Sequence, residues 1–140
     1  MTSPSYPPHA YPIGTPNQPW GPAELAQWRA RRVRQRSYAD DVLAAVARLR
    51  GRFDVFSYGE VVYADAQHPR EHFPLFAIRS RDWQPGLPGV LVSGGVHGYE
   101  TSGVQGALRF ADEHAAQYAG RINWLVVPCV SPWAYERIQR

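Results

Sequence analysis

Runs of apolar residues alternate with polar, glycine- and proline-marked breaks, and each run predicts one element. Val42, Leu43, Val46 and Leu49 recur at helical spacing after Ser37-Tyr38-Ala39-Asp40, which has the form of a helix start with Ser37 as N-cap, and Gly51 is a stop. Before them, Ala23 to Arg36 has helix-forming composition, but its apolar positions Leu25, Trp28 and Val33 are sparse, so it predicts a surface helix. Phe53 to Tyr63, rich in Val, Phe and Tyr, predicts a strand broken near Gly59. The polar Ala64 to His72 predicts a turn, and Phe73 to Arg79 a second strand completing a hairpin. Asp82 to Pro88 is a loop. Leu91-Val92-Ser93 then reads as a buried, central strand ending in Gly94-Gly95. Val104, Ala107, Leu108, Ala111, Ala115 and Tyr118 share one face of a helix that ends at Gly120. Ile122 to Val130 is almost continuously apolar, the pattern of a strand covered on both faces.

Strand, helix and strand in that order form a βαβ unit, which makes its two strands parallel and the crossover right-handed. The class is therefore α/β, a mixed sheet with flanking helices. Parallel strands end on the same edge of a sheet, where open α/β folds bind ligands. The loop of His97 to Glu100 and the segment Ser131 to Arg140 should border one crevice, so Tyr135, Glu136, Arg137 and Arg140 are candidates for its wall. The last strand should lie at a sheet edge, with apolar surface and unpaired backbone groups exposed.

Composition divides the chain. Residues 1-22 hold seven of the prolines with Tyr6, Tyr11 and Trp20 among them, predicting an extended arm whose aromatics favour docking. Residues 23-140 suffice for one core and not two. A single cysteine, Cys129, excludes an intrachain disulfide and sits in an apolar run, which suits a small core side chain in a reducing compartment. The net charge of +3 comes mostly from Arg29 to Arg36. Such a cluster is a solvated helix face more often than a nucleic-acid site, and no stacking motif accompanies it. With neither a leader pattern nor a membrane-length apolar run, a soluble, cytoplasmic chain is expected.

The chemistry concentrates in Gly94-Gly95-Val96-His97-Gly98-Tyr99-Glu100. His97 and Glu100 are two good zinc ligands on a loop at the end of a strand, whereas a catalytic zinc takes three protein ligands and leaves a position for water. The bland alternative is a surface histidine and a glutamate whose charge suits a helix N-terminus. No other histidine completes the set from its spacing. His114 is on the order of 20 Å along the predicted helix from Glu100, His68 and His72 fall in the predicted turn, and His9 lies in the arm. Glu136 is placed to be a base on position alone.

Gly-Gly-Val-His-Gly-Tyr-Glu after an apolar strand resembles the His-x-x-Glu motif of the zinc carboxypeptidase family, and also that of the related succinylglutamate desuccinylase and aspartoacylase group. Pro128 to Arg137 resembles the segment that follows the next strand in the carboxypeptidases, with Ser131 and Ala134 in place of the usual Asn and Gly. The resemblance spans roughly Phe53 to Arg140 in element order. It implies a zinc carboxypeptidase-like fold, truncated, with Zn2+ held by His97 and Glu100 and with Arg137 or Arg140 as the arginine that steadies the substrate carbonyl or oxyanion. In the family the third ligand, the glutamate base and the Asn-Arg clamp lie further along the chain. The expectation is a metallocarboxypeptidase-type hydrolase of peptides, inactive as this chain alone. The alternatives are a deacylase of N-acyl amino acids and a non-catalytic binding module. Pro132-Trp133-Ala134-Tyr135 tilts the resemblance to the peptidase.

Overall fold

The computed structural model describes residues 12–65 and 68–139, so most of the predicted arm, with His9, and Arg140 lie outside the described residues. Two compact units divide between Val33 and Arg34. In the first, Pro22–Ala30 forms helix α1. Glu24 reaches back so that the Gly21 amide donates to its Oε2 at 2.9 Å, and the fixed φ of Pro22 suits the first helical position. No residue of α1 is buried. The helix is the surface element its sparse apolar pattern predicts, but it stops at Ala30 and not at Arg36.

In the second unit a wide π-type segment, Ala39–Leu43, runs into α2 (Ala44–Leu49). Ser37 caps it, its Oγ accepting the Asp40 amide at 3.1 Å. Val42, Val46 and Leu49 are buried, as their spacing predicts. The hairpin follows as β1 (Asp54–Asp65) and β2 (His68–Arg79), antiparallel from Asp54 opposite Arg79 to Asp65 opposite His68. The break near Gly59 is a register shift between Ser57 and Gly59. The turn predicted over Ala64 to His72 is corrected, because both strands run through most of it and His68 and His72 belong to β2. Ladder bonds need no apolar side chains, so the polarity of Arg70, Glu71 and His72 marks an open ribbon and not a turn.

The remaining strands are β3 (Gly89–Ser93) and β4 (Asn123–Val127), parallel over five residue pairs. The sheet order is β1-β2-β4-β3. Here two expectations reverse. β4, expected at an edge, lies between β2 and β3, while β3, expected to be buried, is the edge strand, with Leu91 66% exposed. Apolar character reported that both segments are strands of one sheet. It did not report their lateral order, which depends on pairing between distant segments. β3 has a strand on one side only among the described residues.

Between β3 and β4, α3 (Thr101–Arg109) continues as a π-type segment, Phe110–His114, and tightens to a 3-10 turn, Ala115–Tyr118. Val104, Ala107, Leu108, Ala111 and Ala115 are buried, but Tyr118 is displaced to the rim beside Phe110 by the tightened last turn. The core centres on Trp124, with Phe53 at 4.9 Å and Phe110 at 6.4 Å between ring centroids. Asn123, next to Trp124 in sequence, is buried because its amide serves the loop before β3. Its Oδ1 accepts from Gln84 N at 2.9 Å and its Nδ2 donates to Gln84 O at 2.7 Å.

Candidate metal centre

β3 and β4 end side by side, and their backbone pairing continues past the strands. Gly94 N donates to Val127 O at 2.9 Å, Val130 N to Gly94 O at 3.0 Å and Ser131 N to Gly95 O at 2.9 Å. A side chain at Gly94 would collide with Gly103 O and stand 2.8 Å from Pro128 O, so only glycine lets α3 and the β4 exit approach this closely. After Ser131, Pro132–Arg137 forms α4, closed by Ile138 in the left-handed region (φ 54°), a strained position for a β-branched residue.

The His97–Glu100 loop rests on that short helix. Tyr99 N donates to Gln139 O at 2.9 Å, Glu100 N to His97 O at 3.3 Å, and a Cβ on Gly98 would overlap the backbone of Ala134 and Tyr135. The imidazole of His97 stacks on Tyr99, with centroids 5.8 Å apart and planes within 10°. Glu100 is extended (φ −87°, ψ 95°) and immediately precedes α3, where its carboxylate complements the helix dipole. The predicted meeting of the loop with Ser131 to Arg140 is therefore present in backbone hydrogen bonds.

His97 Nδ1 and Glu100 Oε1 lie 3.5 Å apart, and each side chain is about half exposed. Two ligands of a tetrahedral zinc with bonds of ~2.0–2.1 Å are separated by ~3.3 Å. The pair thus fits two positions of one metal's coordination shell from a single loop, while remaining open to water. Among the described residues no cluster of three His, Cys, Asp or Glu side chains could hold a metal. His114 is beside Glu113 and His72 beside Glu60.

Glu136 and Arg137 are interior. Glu136 is fully buried, with Arg34 Nε and Nη2 each 2.6 Å from its carboxylate oxygens and the Tyr38 amide donating to Oε1 at 2.9 Å. That environment makes it a structural anion and not a base facing a crevice. Arg137, 5% exposed, holds Glu71 Oε2 at 2.6 Å and so ties α4 to β2. Burial raises the Tyr135 hydroxyl to about 12, helped by its hydrogen bond to Asp41. Sequence reasoning missed Arg34 and Arg36, which belong to an arginine cluster with the composition of a solvated face. Arg36 instead donates to Gly98 O at 3.0 Å and Tyr99 O at 3.3 Å. No local signal separates these two from Arg29 or Arg31.

No family model matches the chain, and no curated protein matches it. Solved structures do. One from Shewanella denitrificans OS217 aligns at a TM-score of 0.57 and 25% identity, over 72% of this chain and 36% of its own. One from Shewanella baltica OS155 aligns at 0.53 and 28%, over 71% and 33% respectively, and one from Shewanella amazonensis SB2B at 0.50 and 27%, over 74% and 35%. Each of the three is named a "putative metallopeptidase". This chain's fold is metallopeptidase-like. The metallopeptidase-like part spans about a third of the length of the structures it matches. Among the described residues no helix is long and apolar enough to cross a membrane.

Proposed function

We propose that the chain carries part of the metal centre of a zinc-dependent peptidase of carboxypeptidase type, with His97 and Glu100 as two of its ligands. The observation that carries the reading is their 3.5 Å approach on one half-exposed loop, at the shared end of two parallel strands. The likeness to proteins named as metallopeptidases supports a metal-dependent hydrolase, and the Gly-Gly-Val-His-Gly-Tyr-Glu sequence favours zinc. Zinc held there would supply Lewis-acid polarisation of the scissile carbonyl and activation of a water.

The chain's own residues supply the rest of what can be derived. His97 offers a ring nitrogen and Glu100 a carboxylate oxygen, a donor set suited to zinc. The ring of Tyr99 lies nearly parallel to the imidazole, 5.8 Å away between centroids. The substrate class is a peptide, with N-acyl amino acids as the competing class. Arg137, bound to Glu71 inside the fold, supports α4 beneath the loop, so substrate contact by it would require that ion pair to open.

Zinc titration of the chain by calorimetry, beside His97→Ala and Glu100→Gln, tests the ligand assignment. Weak binding by the parent, lost in both variants, is the expected result, since two ligands hold zinc less firmly than three. Equal zinc uptake by all three proteins would overturn it. The full-length protein purified from its host should then cleave peptides in preference to N-acetyl amino acids, and the opposite preference would favour the deacylase.

A further inference from the structure

Gly98 and Tyr99 are the only residues between the two candidate ligands, and both of their carbonyl oxygens accept hydrogen bonds from one side chain. Arg36 Nη1 donates to Gly98 O at 3.0 Å and Nη2 to Tyr99 O at 3.3 Å. Because Glu100 is extended, the loop is not a continuation of α3, and its carbonyls need donors from elsewhere. The guanidinium is itself held. It lies 5.1 Å from the centroid of the Tyr135 ring, whose hydroxyl donates to Asp41 Oδ2 at 3.0 Å, and the Arg36 amide donates to Glu136 O at 3.1 Å.

We propose that Arg36 is a positioning residue for the metal loop, setting the spacing of His97 and Glu100 by gripping both carbonyls between them. This rests on the reading of His97 and Glu100 as ligands. The two bonds use the planar fork of arginine, in which the donors are rigidly spaced, and a lysine ammonium is a single flexible point that cannot reproduce both. Fixing these two peptide planes restricts the backbone at each ligand's neighbour, so the pair is preorganised before metal arrives. Partners of this kind, one step removed from a metal, typically govern its affinity about 10- to 100-fold.

The test compares the parent chain with Arg36→Ala and Arg36→Lys. Lysine keeps the charge and the aliphatic stem, so it separates loss of the fork from loss of packing. Amide hydrogen exchange is read at Tyr99, Glu100 and, as a reference in the sheet, Val126. Zinc affinity is read by competition with a chromophoric chelator. In both variants exchange at Tyr99 and Glu100 should rise about tenfold with Val126 unchanged, and zinc affinity should fall about tenfold. Unchanged protection of Tyr99 and Glu100 in both variants overturns the proposal, as does a loss shared equally by Val126, which would make Arg36 a general scaffold residue. If the parent binds zinc no better than His97→Ala, the ligand reading fails by itself. The exchange data then still decide whether Arg36 holds the loop.

Discussion

At Gly98 the path of the His97–Glu100 loop depends on a missing side chain. Its hydrogen atoms face the backbone of Ala134 and Tyr135, so Gly98→Ala must push the loop off α4. Overpacking of this kind costs about 1–3 kcal/mol, to be measured by urea unfolding, and zinc retention should fall with it. Cys129 gives a pH prediction. Burial raises its thiol from 9.0 to about 12, so between those values the unfolded chain has released a proton that the folded one keeps. Its contribution is fully present below pH 9.0 and is lost as pH rises toward about 12. Stability should therefore fall above pH 9.0, by up to ~1.4 kcal/mol per pH unit from this group, and Cys129→Ala should flatten that slope in urea melts at pH 8 and 10.5. At this scale the glycine context singled out His97 and Glu100, and the structure sets their side chains 3.5 Å apart. Arg36 and Arg34 stayed hidden because their partners are 62 and 102 positions away, where no local pattern reaches.

Elements were legible where burial follows a period. The buried face of α3 and the parallel pairing of β3 with β4 follow from apolar spacing and from the length of the crossover. The hairpin was legible too, but the reach of its strands was not, since the polar side chains of Arg70, Glu71 and His72 look like a turn. The inversion of edge and interior between β3 and β4 has the same root, because apolar runs describe faces and say nothing of neighbours. One polar residue in the apolar β4 explains how its start is fixed. Asn123 binds both the amide and the carbonyl of Gln84 and so shapes the approach to β3. Asn123→Ala should cost about 1–3 kcal/mol by leaving Gln84 groups unsatisfied, read as a lowered urea midpoint. It should also raise protease sensitivity between Gln84 and Pro88. Breaking the anion at the heart of α4 should cost a similar amount, with Glu136→Ala losing about 1.5–3 kcal/mol from its charged hydrogen bonds. The partly exposed Arg34 keeps the figure below that of a fully buried pair.

For the whole molecule, the open side of β3 is the dominant liability. Val90 and Leu91 are exposed on a strand paired along one side among the described residues, which makes a template for another strand. Light scattering across a concentration series should show self-association of this chain, and Leu91→Lys should reduce it. Another feature bears on how the fold can change over time. β1 and β2 pair along most of their length, yet among the described residues β2 pairs with β4 just at Ile78 and Arg79, with the Ser80 amide donating to Trp124 O beyond them. Farther out, the hairpin is held by side chains. Tyr63 packs on Trp133 at 4.6 Å, Glu71 binds Arg137, and the Tyr38 hydroxyl donates to Pro74 O at 2.8 Å. A strand fixed by a ladder can move only by slipping its whole register, whereas one fixed by a few side chains can be tilted by single substitutions. The hairpin arm is thus the part of this scaffold that descent with modification can re-aim in small steps, leaving the paired strand ends beneath the His97–Glu100 loop undisturbed.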